Sequence, residues 1–164
     1  MSSGVGIDFA KVKAMANTNE LKNLIEPYVR KRLTDKYGNL FEEKEMPLKL
    51  KTGGLHKFDV ISKDRTIVGG IKANSLRKDG KVGAGVIKSI FTELYFLSLV
   101  EAKRKVLILT NKGFYELFKR RSSGQILPDT DLIYCKLSKE LESRVAGIHK
   151  ISSGEIGKRV SVPK

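Results

Sequence analysis

The chain of 164 residues is 40% hydrophobic and 30% charged, the balance of a folded domain large enough to bury a sizeable core. Thirty-two Lys and Arg against eighteen Asp and Glu give a formal charge of +14, which favours nucleic acid over an anionic membrane as partner, because each neutralised phosphate releases counterions. A single cysteine, Cys135, excludes an internal disulfide and a cysteine-rich zinc site.

No amino-terminal leader pattern is expected, since the first apolar residues are scattered among Asp8, Lys11 and Lys13. Residues 1–17 read as an arm or short helix. Leu21, Leu24, Ile25, Tyr28, Val29 and Leu33 then recur at helical spacing. Thr18 or Asn19 is the expected cap and Gly38 the expected stop, with Pro27 kinking this helix or opening a second. "FEEKEMPLKLKTGG" reads as a strand running into a glycine pair.

"KFDVIS" and "TIVGGIKA" are rich in β-branched and aromatic residues, and "SKDR" between them is turn chemistry. With a turn of two residues (Lys63, Asp64) or four (Ser62 to Arg65), Val60 lies opposite Ile67 and Asp59 opposite Val68. Alternation then puts Asp59, Val68, Gly70 and Lys72 on one face. "NSLRKDGKVGAG" is a polar, glycine-rich loop. Gly80, Gly83 and Gly85 match neither a P-loop nor a dinucleotide fingerprint, and read as a hinge near bound nucleic acid.

An apolar helix follows from about Val82 to Ala102. It carries Lys88 and Glu93, both expected on its solvent stripe, and it is too short and too charged to span a membrane. "RKVLILT" is a buried strand, "NKGFYELFKRR" a basic helix, "DLIYCKL" another strand and "SKELESRVAGI" a last helix. The domain is expected over 18–148, with 149–164 a tail or edge strand. The order α-β-β-β-α-β-α-β-α is that of an α/β protein whose mixed central sheet is flanked by helices.

The hairpin, with its acid at Asp59 and its lysine at Lys72, resembles the core of the PD-(D/E)XK nuclease superfamily, the restriction-endonuclease-like fold. The succession of an acid-bearing helix, a hairpin, an apolar helix and a strand is similar too, over roughly residues 18–136. The resemblance implies Mg²⁺- or Mn²⁺-dependent hydrolysis of phosphodiesters in DNA. Asp59 and Glu26 would bind the metal with the backbone carbonyl of Ile71, and Lys72 would organise the attacking water.

The chain departs from that pattern at Gly70, where the family has its second acid. Three explanations stand: the acid has migrated, with Glu93 as a candidate and Glu26 as an extra ligand; the site has decayed to a module that binds without cutting; or a Glu→Gly substitution has disabled cleavage. Arg30, Arg32, His56, Lys88, Lys119 and Arg120 are candidate nucleic-acid contacts, each weighed against a solvated or structural role. A homodimer would let two sites address two strands. No membrane partner and a cytoplasmic, intracellular location are expected.

Overall fold

The structure is a computed structural model; it describes residues 9–152, with side-chain surroundings for 19–150. The protein is α/β, and its described residues form four helices and a five-stranded mixed sheet in the expected order. The elements are α1 (Phe9–Tyr37), β1 (Phe41–Pro47), β2 (Leu55–Ser62), β3 (Ile67–Lys72), α2 (Ala84–Leu99), β4 (Arg104–Leu109), α3 (Lys112–Arg121), β5 (Thr130–Tyr134) and α4 (Lys139–Ser152).

The described residues divide into two compact units, residues 9–25 with 137–152 and residues 26–136. In the first unit, Leu141, Val145 and Ile148 of α4 are buried at helical spacing. The α4 start is held by Ser138, whose Oγ accepts the Leu141 amide proton at 3.2 Å. The second unit contains the whole sheet and the candidate site.

Two expected boundaries are corrected. Thr18 and Asn19 lie inside α1 and do not cap it, because the helix already begins at Phe9. Residues 149–152 are the last turn of α4 and not a tail; 153–164 lie outside the described residues. Pro27 sits within α1 without ending it.

The strands lie in the order β1-β2-β3-β4-β5. The first three form an antiparallel meander, whereas β3, β4 and β5 are parallel. The parallel pairs require crossovers, which α2 and α3 supply. Leu107 and Leu109 of β4 form a buried cluster with Ile90 of α2 and with Phe114 and Phe118 of α3. A second cluster joins Met46, Phe58, Ile61 and Val68 of the meander to Leu97 at the end of α2. Among the described residues, no helix is long and apolar enough to cross a membrane.

The hairpin register differs from the expected one. Val60 faces Gly69 and Ile61 faces Val68, two residues along from the pairing of Val60 with Ile67. The loop is Lys63–Thr66, and Ser62 closes it by accepting the Ile67 amide proton on Oγ at 2.9 Å. A shift of two preserves the faces of β3, so Val68, Gly70 and Lys72 still point one way.

Candidate active site

A bulge in β2 determines where Asp59 goes. Glu42 and Lys44, two apart on β1, face Ile61 and Phe58, three apart on β2. One extra residue is therefore accommodated at Asp59–Val60, and side-chain alternation resets there. Phe58 consequently shares a face with Ile61 and joins the same core cluster.

Asp59 sits where β2 leaves β3. Its Oδ2 accepts the Ile71 amide proton at 2.8 Å, and its backbone carbonyl accepts from Arg30 Nε at 2.9 Å. Lys72 gives its own carbonyl to the Thr110 amide at 3.3 Å, toward β4. Peptide groups alternate sides along a strand, so those of Ile71 turn toward Asp59. This is consistent in direction with the Ile71 carbonyl proposed as a ligand, although the bond observed is from its N–H.

Two groups of side chains surround Asp59. The first holds carboxylate oxygens of Glu26, Glu43 and Asp59 within 4.8 Å of one another. Glu26 is buried and comes from α1, one position beyond Ile25 in the buried row of Ile25, Val29 and Leu33. Glu43 lies on the opposite face of β1 from Glu42 and Lys44 and was not anticipated; its alternation in "FEEKEMP" was the available signal. Arg30 Nη2 pairs with Glu26 Oε2 at 2.6 Å and lies 3.9 Å from Glu43 Oε2. Lys57 Nζ pairs with the other Glu43 oxygen at 2.6 Å.

The second group centres on Glu93. Its side chain is only 12% exposed, so it leaves the solvent stripe expected for it and turns to the sheet. Glu93 lies on the line of Ile90 and Leu97, the buried residues of α2, three positions from one and four from the other. Its Oε2 is 4.0 Å from Lys72 Nζ and 3.6 Å from His56 Nε2. A Cβ at position 70 would stand 2.8 Å from Glu93 Cγ and 2.9 Å from Oε1. Gly70 is thus the residue that admits this carboxylate to the sheet. The neighbouring Gly69 has a separate cause, since a Cβ there would collide with the Val106 carbonyl at 2.3 Å.

Burial pushes the Glu93 carboxyl above its ordinary range, with the nearby Asp59 charge acting in the same direction and Lys72 and His56 opposing it. Asp59 links the two groups: its carboxylate stands with those of Glu26 and Glu43, and its charge acts on Glu93, which neighbours Lys72. Carboxylate oxygens are the hard donors that Mg²⁺ and Mn²⁺ select, and three of them within 4.8 Å fit such an ion in chemical kind.

The anticipated nucleic-acid contacts divide. Arg30 is not a surface contact; it is half-buried and committed to Glu26 and the Asp59 carbonyl. Nor does His56 present a free edge: its ring stacks on Phe96 at 4.0 Å and meets Phe58 edge-on at 4.7 Å, and Nε2 is buried without a hydrogen-bond partner. Arg32 and Lys88 are exposed. Lys119 and Arg120 lie in the last turn of α3, whereas the start of that helix adjoins Lys72 through Thr110. At 1.5 Å per residue they stand roughly 10 Å or more along the helix from that edge.

No protein-family model, curated protein or solved structure matches the chain.

Proposed function

We propose that the protein is a metal-dependent phosphodiester hydrolase of the PD-(D/E)XK kind, acting on DNA, in which the acid missing at position 70 is supplied by Glu93. The observation that carries this reading is the placement of the Glu93 carboxylate over Gly70, next to Lys72. Migration of the acid accounts for Gly70 without invoking decay or a disabling substitution.

In this reading Asp59, Glu26 and Glu43 hold Mg²⁺ or Mn²⁺, with Glu93 completing the acidic lining. The ion supplies charge neutralisation at the phosphate and a more acidic bound water. Lys72, half-buried and beside Glu93, orients the attacking water and stabilises the charge that develops on the phosphate oxygens. Ile71 fixes the Asp59 carboxylate through its amide, and Arg30 fixes the bulge through the Asp59 carbonyl. Two copies acting together would address two strands, which sedimentation of the purified chain decides.

The test is cleavage of linear, branched and single-stranded substrates with Mg²⁺ or Mn²⁺. Metal-dependent products that disappear in both Asp59→Asn and Lys72→Ala support the reading; no cleavage with either metal removes it. A second reading, a nucleic-acid-binding module that does not cut, is favoured by one observation. Arg30 and Lys57 already pair with Glu26 and Glu43, so the acidic cluster is balanced by the protein's own cations. Nucleic-acid binding that persists without cleavage, unchanged in Asp59→Asn, decides for it.

A further inference from the structure

The segment that leaves Lys72 carries charge for which the hydrolytic site has no use. Between Ala73 and Thr92 stand four cations, Arg77, Lys78, Lys81 and Lys88, and a single acid, Asp79. That acid is committed locally: its Oδ1 accepts the Lys81 amide proton at 3.0 Å and its Oδ2 pairs with Arg77 Nη2 at 3.3 Å. The turn is closed by the Arg77 amide to the Lys81 carbonyl and the Gly80 amide to the Arg77 carbonyl, both at 2.9 Å. Gly80 takes a φ of +72°, which glycine adopts without strain. Arg77–Lys81 are all exposed.

This turn is pinned at its base. Leu76 packs against the cluster of Ile90, Leu107 and Phe114, and its Cδ1 lies 2.9 Å from where a Cβ on Gly113 would be. Leu76 therefore rests on the first turn of α3, which is possible because residue 113 is glycine. The same helix start touches the end of β3 through the Thr110 amide and the Lys72 carbonyl. Lys72, the pinned turn and Lys112 thus meet at the carboxyl edge of the parallel strands, where open α/β sheets place their ligands. Neither α2 nor α3 has an acid in its first turn to offset this charge.

The backbone bonds of the turn and Asp79 account for its shape, and Arg77, Lys78 and Lys81 all present their charge at the surface. We propose that the Arg77–Lys81 turn, with Lys112, is the docking surface for the sugar–phosphate backbone of a nucleic acid that continues into the pocket of Lys72. The proposal rests on the hydrolase reading for the chemistry at Lys72, but docking itself requires no cleavage. Five residue steps separate Lys72 from Arg77, at most about 18 Å of chain, so one strand can engage both. A membrane surface fits less well, because the exposed residues of the turn include no apolar side chain to insert.

The experiment measures binding of the full chain to a labelled 20-base-pair duplex and to a labelled single strand, in EDTA, over a salt series. Arg77→Ala/Lys78→Ala/Lys81→Ala is compared with a charge-matched control, Lys63→Ala/Lys103→Ala/Arg121→Ala. The turn variant should bind about tenfold or more weakly at moderate salt, with a log–log salt slope shallower by about 2 to 3, while the control changes much less. Leu76→Ala, with every charge kept, should also bind more weakly. A turn variant that binds like the unaltered chain, or no differently from the control, overturns the proposal. So does an unaltered chain that binds neither nucleic acid, or one that binds phosphatidylserine vesicles through this turn instead. If binding behaves as expected but no metal-dependent cleavage is found, the hydrolase reading falls and the docking surface stands.

Discussion

Glu93 and Gly70 are complementary: the carboxylate of one fills the space in which a side chain on the other would begin. Gly70→Ala should push Glu93 away from Lys72 and weaken Mn²⁺ binding about tenfold. Gly70→Glu alone should be no better, since the new side chain meets the same obstruction. The exchange Gly70→Glu/Glu93→Ala should recover metal-dependent cleavage. Calorimetric titration with Mn²⁺ and cleavage of a duplex check the set; a single Gly70→Glu variant that cuts faster than the unaltered chain would favour a disabling substitution instead.

Glu93→Gln separates stability from chemistry. Burial, first, and the Asp59 charge hold the Glu93 carboxyl above its ordinary value of 4.5. The folded chain therefore keeps this proton more tightly than the unfolded chain does. Stability contributed by this group is full below the ordinary value and is lost as pH rises through the folded one. Glu93→Gln should melt higher than the unaltered chain at neutral pH, by a margin that grows upward from pH 4.5, and should lose metal-dependent cleavage. Thermal melts between pH 4 and 8 measure the margin; a lower melting temperature at pH 7 contradicts it.

His56 tests whether the aromatic stack matters apart from its nitrogen. His56→Phe keeps a ring between Phe96 and Phe58 and removes the buried, unpartnered Nε2. Folding stability should hold or rise, while Mn²⁺ affinity falls because Glu93 loses a neighbour at 3.6 Å. Unchanged stability together with unchanged metal affinity would mean that the ring acts by packing alone.

The hairpin loop has its own acid. Asp64 Oδ1 accepts from Ser62 Oγ at 2.7 Å, from the Thr66 amide at 3.1 Å and from Thr66 Oγ1 at 2.8 Å. These bonds, the Ser62 one foremost, hold its carboxyl far below the ordinary value of 3.8. Its contribution is present above that value and is lost as pH falls through the folded one. Asp64→Ala should lower the melting temperature at pH 7, and the difference should close on acidification below pH 3.8.

Element order was legible because the alternation of "KFDVIS" and the helical spacing of Leu21 to Leu33 are local signals. The start of α1 was not, since Thr18 and Asn19 are capping types that also occur inside helices. Asp59 and Lys72 could be singled out as residue types, but the β2 bulge leaves no mark in composition. The β2–β3 register depends instead on where the loop begins. It runs over Lys63–Thr66 and not Ser62–Arg65, a choice that the turn-forming residues of both spans leave open, and this moves the pairing by two while the β3 faces stay the same. The position of Glu93 is readable on the Ile90–Leu97 line, but a lone carboxylate on an apolar helix costs least in solvent, and only the gap at Gly70 makes its burial possible. Glu43 was hidden among three glutamates within five residues, of which alternation puts two, Glu43 and Glu45, on the same face.

The β2 bulge also makes the hairpin two blocks that obey opposite inside–outside rules. Beyond it, Ile61 and Ser62 answer to β3 and the loop; before it, His56 and Phe58 answer to α2. Point changes in the tip can accumulate without re-aiming the chemistry. Losing the extra residue would instead turn the stem inside out, expelling Phe58 from the core and carrying His56 away from its glutamate in one event.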